Sequence, residues 1–220
     1  INGEQVNGTK TYAELGLSEA IMRAIEKKGY VQATPVQAGA IPYFMEWRDV
    51  IAKAPTGTGK TFAFGIPMVE HIDPECADVQ GLVLAPTREL ALQIQESFEA
   101  YGKYLPLRST VIFGGVGQAP QVERLKKGVD ILVATPGRLG DLYGQKLIDL
   151  SRLEIFVLDE ADRMLDMGFI HDVRRILGWL PAQKQTLFFS ATMPPEVQGL
   201  VDSLLHNPAK VAVNPISSPV

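Results

Sequence analysis

Ala54-Pro55-Thr56-Gly57-Thr58-Gly59-Lys60-Thr61, written APTGTGKT, follows the apolar run Val50-Ile51-Ala52 and precedes Phe62-Ala63-Phe64. A buried strand running into a helix would pack better with bulk at the junction, yet this junction carries two glycines, a lysine and a hydroxyl. Gly57 and Gly59 let the backbone wrap closely enough for several N–H groups to point at one anion. Lys60 adds a positive charge there, and the following helix presents its positive N-terminal end. This is the P-loop pattern, with Ala54 where the pattern often has glycine. Thr56, Gly57, Thr58, Gly59, Lys60 and Thr61 are therefore expected to hold nucleotide phosphates, with Lys60 at the β and γ positions and the Thr61 hydroxyl on Mg²⁺. A dinucleotide fingerprint would need a third glycine at position 62, where Phe62 stands.

Around this turn, short apolar, β-branched runs recur at Asp49 to Lys53, Gly81 to Ala85, Ser109 to Phe113, Asp130 to Ala134, Glu154 to Leu158, Gln185 to Phe189 and Lys210 to Val213. Segments of helical spacing, such as Glu89 to Tyr101 and Phe169 to Leu180, separate them. The alternation predicts an α/β fold: a mostly parallel central sheet of about seven strands with helices on both faces. Two further helices are expected before the first strand, one capped by Ser18 and one by Thr34 with Pro35 at its first position. In such sheets ligands bind beyond the carboxyl ends of the strands, so the unusual residues should collect there.

The run Ile155-Phe156-Val157-Leu158 leads directly into Asp159-Glu160-Ala161-Asp162. Two carboxylates are thus delivered together at a strand end. Asp159 can hold Mg²⁺, directly or through water, and Glu160 can orient and deprotonate a water attacking the γ-phosphate. The competing reading is an acidic first turn of a helix.

Composition bounds the alternatives. The chain has 220 residues, 46% apolar and 21% charged, which suits one globular domain. No apolar stretch reaches the roughly 20 residues that cross a bilayer, and INGEQVNGTK has no signal-peptide core, so a cytoplasmic location, or a nuclear one in a eukaryote, is expected. Cys76 is the single cysteine, which excludes an internal disulfide. A net charge of −4 gives no global attraction to nucleic acid, which would have to be held by local basic groups and backbone donors. His71, His171 and His206 lack metal spacing. The Met164-Leu165-Met167-Phe169 cluster is explained by packing, and Lys27-Lys28, Lys126-Lys127 and Arg174-Arg175 by solvated helix faces.

Asp159-Glu160-Ala161-Asp162 spells DEAD, and from about Tyr12 to Val213 the chain resembles the first RecA-like domain of a DEAD-box RNA helicase. Pro86-Thr87-Arg88-Glu89-Leu90 resembles motif Ia, Gly114-Gly115 the GG element, Thr135-Pro136-Gly137-Arg138 motif Ib and Ser190-Ala191-Thr192 motif III. Gly29-Tyr30 with Thr34-Pro35-Val36-Gln37 resembles the Q motif, although Ala33 departs from its usual proline. The resemblance implies that Gln37 reads the adenine edge of ATP and Tyr12 stacks on its ring. It implies that Thr87, Arg88, Gly115, Thr135 and Arg138 contact RNA, and that Asp162, Ser190 and Thr192 couple the two sites. It implies residues 1–10 as an extension, 11–213 as a RecA-like ATP-binding domain and 214–220 as the start of a linker. A second RecA-like domain, absent here, would carry arginine fingers. The isolated domain would then be a nearly inactive monomer. An ATP-gated RNA clamp and a DNA-directed helicase of the same superfamily stay open as alternatives. Plain loop and helix-capping chemistry also stays open for Thr87, Thr135 and the Ser190-Thr192 turn.

Overall fold

The computed structural model describes residues 4–5, 10–11, 19, 22, 32–33, 35–54, 60–103 and 106–212. Eight strands form one sheet: β1 (Glu4–Gln5), β4 (Val50–Lys53), β5 (Gly81–Leu84), β6 (Ser109–Ile112), β7 (Ile131–Ala134), β8 (Ile155–Leu158), β9 (Gln185–Ser190) and β10 (Ala209–Ala212). Their order is β1-β10-β4-β9-β8-β5-β7-β6, and every pairing is parallel. The seven expected strands are present. The two-residue β1 adds an edge from the segment expected to be an extension. A separate antiparallel ribbon, β2 (Lys10–Thr11) with β3 (Gln32–Ala33), was not foreseen from the sequence. Of the two helices the sequence suggests before the first strand, Pro35–Met45 (α1) begins at Pro35 as expected, whereas Ser18 lies outside the described residues.

The period of two along each strand divides the interior. In β5, Val83 joins one core cluster with Phe44, Phe64, Phe98 and Phe189, while Leu82 and Leu84 join another with Phe156, Phe188 and Met164. Helices α1, α2 (Lys60–His71) and α3 (Arg88–Gly102) cover the first face. Helices α5 (Pro136–Gly144), α6 (Ala161–Asp166), α7 (Ile170–Leu177) and α8 (Pro195–Leu204) cover the second, with Val122 and Leu125 of α4 (Ala119–Lys126) packed beside them. Each fully buried leucine or valine contributes about 1.5–3 kcal/mol. At Gly81 a Cβ would stand 2.5 Å from the Met68 Cε, so glycine there leaves room for the end of that buried side chain.

Three helices end in the same way. After α1, the Trp47 amide donates to the Phe44 carbonyl and the Arg48 amide to the Tyr43 carbonyl. After α5, Lys146 and Leu147 repeat this on Tyr143 and Leu142, and after α6, Gly168 and Phe169 repeat it on Leu165 and Met164. This Schellman closure needs a left-handed residue at its turn. Gly168 meets that need without cost, while Trp47 and Lys146, both at φ +61, bear about 1 kcal/mol of strain each.

Candidate functional site

Because the sheet is parallel, the turns after β4, β9, β8, β5, β7 and β6 leave by one edge, and strand order sorts them into two neighbouring groups. The first group is β4, β9 and β8. Here the Ala54 amide donates to the Ser190 carbonyl at 3.2 Å, so the end of β4 lies against the end of β9. Leu158, at the end of β8, pairs with Phe188 of β9 on the other side. The glycine-bearing turn and the DEAD residues therefore leave strands separated by β9 alone. Residues 55–59, and with them Thr56, Gly57, Thr58 and Gly59, lie outside the described residues, as does Tyr12. Lys60 and Thr61 are described as the start of α2 only.

Asp159 and Glu160 follow β8 directly and are 1% and 6% exposed. They are not a solvated acidic helix start. Glu160 takes a left-handed backbone, φ 52 and ψ 53, immediately before α6. Such a conformation in a non-glycine residue is held by its surroundings and concentrates at functional positions. The Arg163 Nη1 donates to the Glu160 Oε2 at 3.4 Å.

Asp162 is the hinge between β8 and β9. Its Oδ2 accepts the Thr192 hydroxyl at 2.8 Å and the Thr192 amide at 3.0 Å. Its own amide donates to the Ser190 Oγ at 3.2 Å, and that hydroxyl donates to the Thr192 carbonyl at 2.6 Å. Partial burial opposes ionisation of the Asp162 carboxyl. The hydrogen bonds from Thr192, Arg163 and Ser190 outweigh it and hold the group below its usual 3.8. The three residues assigned to coupling thus form one bonded unit across two strand ends.

The second group is β5, β7 and β6. At its seam with the first, the Asp159 amide donates to the Leu84 carbonyl at 3.1 Å. Thr87 caps α3 through its hydroxyl, which accepts the Leu90 amide at 3.2 Å. Thr135 precedes α5 with Pro136 in the first turn, as the sequence suggests, but its side chain makes no capping bond. Arg88 is exposed, with its guanidinium 4.7 Å from the centre of the Phe113 ring, joining the ends of β5 and β6. Gly114 and Gly115 follow β6 on the surface, Gly115 at φ +81, and a Cβ at either would meet nothing within 4 Å.

Arg138 differs in setting from Arg88. It is 9% exposed, and it donates from Nη1 to the Gln121 Oε1 at 2.9 Å and from Nη2 to the Val116 carbonyl at 2.7 Å. Gln121, also buried, donates to the Phe113 carbonyl at 3.1 Å. The buried pair shapes the glycine turn from beneath. Sequence reasoning passed over Gln121, whose signal was a polar residue on the inner face of an amphipathic helix. Gln37 is 1% exposed in α1, so it is an interior group and not an exposed helical amide. Met164 is buried as packing requires, but Met167 is exposed, which corrects the reading of that whole cluster as core. His71, set aside at first, stacks on Phe44 and lies 4.0 Å from the Trp47 ring.

Residues 34–200 match the family model described as DEAD/DEAH box helicase. The chain is 44% identical over 202 residues to the ATP-dependent RNA helicase CshA of Limosilactobacillus reuteri, covering 92% of this chain and 41% of that protein. It is 45% identical over 203 residues to the DEAD-box ATP-dependent RNA helicase CshA of Geobacillus kaustophilus, covering 92% and 44%. Among solved structures, a DEAD box protein from the hyperthermophile Methanococcus jannaschii superposes with a TM-score of 0.89 at 37% identity, covering 93% of this chain and 56% of that one. A hypothetical ATP-dependent RNA helicase from Sulfolobus tokodaii gives 0.82 at 38% identity, covering 89% and 57%. The chain thus spans about two fifths of the curated relatives' length.

Proposed function

Because the chain belongs to the DEAD/DEAH box helicase family, we propose that it is the ATP- and RNA-binding half of an ATP-dependent RNA helicase. The observation that carries this reading is the sorted strand order. It sets the ends of β4, β9 and β8 side by side, which would serve as a nucleotide edge, and the ends of β5, β7 and β6 beside them, which would serve as an RNA edge. Thr56 to Thr61 would enclose the phosphates of ATP, Lys60 neutralising the β and γ groups. Gln37 and Tyr12 would recognise adenine.

Thr61 and Asp159 would hold Mg²⁺, which when bound screens the phosphate charge. The fit rests on the donor set: hard oxygen ligands, with Asp159 drawn in beside Glu160 at a strand end. Glu160, fixed in its left-handed turn, would orient the attacking water and take its proton. On the other group, Arg88 and the backbone donors at Gly115 and Thr135 would take RNA phosphates, with little dependence on base. Asp162, Ser190 and Thr192 would transmit phosphate state at β4 to the RNA-facing strands, since they tie β9, which touches β4, to β8, which touches β5.

The remaining length of the relatives is consistent with a second RecA-like domain supplying arginine fingers, worth on the order of 10³ to 10⁵ in turnover. We place the parent protein in the cytoplasm, and among the described residues no helix is long and apolar enough to cross a membrane. The test is nucleotide binding and ATP turnover of this chain with and without single-stranded RNA. Weak ADP binding that is lost in Lys60→Ala, with turnover scarcely raised by RNA, is expected. Undiminished nucleotide affinity in Lys60→Ala would remove the basis of the assignment.

A further inference from the structure

At the opposite edge of the sheet, where β4, β9 and β10 begin, lies a cavity of about 640 Å³ whose walls include Trp47, Arg48, Asp49, Lys184, His206 and Asn207. No step of ATP or RNA handling uses it. Trp47 is 47% exposed although its backbone sits at φ +61, a position that glycine fills without strain. His71 lies against the indole, with ring centres 4.0 Å apart. Asn207 on the facing wall is also left-handed, at φ +43, and its carbonyl accepts the Arg48 Nη2 at 3.3 Å, which fixes the two walls relative to each other.

The charges divide unequally between the walls and the floor. Both Asp49 oxygens are taken by backbone amides, Oδ1 by Thr186 at 2.8 Å and Oδ2 by His206 at 2.9 Å. Arg48, which also lies 5.3 Å from the centre of the Tyr43 ring, and Lys184, which donates to the Pro181 carbonyl at 3.0 Å, keep donors for a ligand. Burial pushes the Lys184 ammonium below its usual range, with Asp49 partly restoring it, so an added carboxylate would stabilise its charged form. Tryptophan and arginine at a concave, partly desolvated spot are the residue types that anchor protein interfaces. Two cations in one open hollow lack the extended basic stripe that a nucleic acid backbone needs.

We infer that this cavity is a docking site for an acidic segment of a partner protein, with the exposed face of Trp47 receiving an apolar side chain and Arg48 and Lys184 receiving neighbouring carboxylates. The site goes beyond the proposed helicase function, and lying at the far edge it stays reachable while nucleotide and RNA are held.

The probe is a phage-displayed library of random dodecapeptides selected on the immobilised chain, followed by calorimetry with the enriched peptide. Sequences rich in Asp or Glu beside an apolar residue are expected. Affinity should fall about tenfold or more in Trp47→Gly and in Arg48→Glu/Lys184→Glu, with melting and ADP binding of both variants retained. Trp47→Gly places the residue that suits the turn but uncovers one side of His71, so its retained melting transition is what separates loss of binding from unfolding. The inference is overturned if nothing is enriched, if the enriched peptides carry no acidic bias, or if Trp47→Gly binds them equally. It is also overturned if labelled decauridine binds the chain and loses that binding in Arg48→Glu/Lys184→Glu, which would make the cavity an RNA contact.

Discussion

A single buried amide ties a helix to the glycine turn proposed to face RNA. Gln121 touches neither expected substrate. It sits between the Phe113 carbonyl at the end of β6 and the Arg138 guanidinium, which in turn holds the Val116 carbonyl across the glycine turn. Gln121→Ala leaves a buried guanidinium short of an acceptor and a carbonyl short of a donor, a loss of about 1.5–3 kcal/mol. The expected outcome is a lower melting temperature together with several-fold weaker binding of single-stranded RNA and unchanged ADP affinity. Equal weakening of both ligands would show a global effect. Arg138 was legible from the Thr-Pro-Gly-Arg word, but the word says nothing about depth. What buries the arginine is its partner on a different helix, which no local pattern announces.

At the level of elements, the helix ends carry the interest. The strands were readable because apolar β-branched runs of four to six residues between glycines and prolines have few other uses, and the start of α1 at Pro35 and of α5 at Pro136 followed from fixed proline geometry. The end of α1 was not readable: a tryptophan in the left-handed position contradicts the rule that places glycine there. Its neighbour His71 is kept neutral by burial between Phe44 and Trp47, against the opposing pull of Glu70 and the Phe44 carbonyl, so its folded value lies below the usual 6.5. A histidine lowered on folding leaves the folded state holding fewer protons than the unfolded one. Stability from this group is therefore complete above pH 6.5 and is lost as pH falls from there toward the folded value. Thermal melts between pH 8 and pH 5 should show a decline beginning near pH 6.5 that His71→Phe flattens. An identical decline in the variant would place the titrating group elsewhere.

Across the molecule, the pairing of Arg108 with Asp130 closes the far end of β6 and β7. Asp130 is fully buried and accepts the Arg108 Nη2 at 2.8 Å, Nε at 3.3 Å and amide at 2.9 Å, while the same guanidinium reaches the Cys76 carbonyl at 2.9 Å. Gly128, at φ +94, leaves the room, since a Cβ there would stand 2.5 Å from the Arg108 Nη1. Arg108 is 40% exposed, so Asp130→Ala should cost about 1.5–3 kcal/mol in urea unfolding, the worth of the hydrogen bonds lost to a charged acceptor, and a loss under about 1 kcal/mol would show the pair to be incidental. The sequence foretold a parallel sheet but not its order, because order is decided by which faces pack and which crossovers stay right-handed.

That order has a bearing on how the chain assembles. Strand β9, beginning at Gln185, occupies the gap between β4, beginning at Val50, and β8, beginning at Ile155. A nascent polypeptide that has emerged only as far as Ala182 holds both flanking strands with their facing hydrogen-bonding rims unmatched, and lacks the middle strand of the proposed nucleotide edge. Ligand can stabilise the protein only after the late strand has threaded home. Until then the exposed rims make the emerging chain a natural client for holdase chaperones.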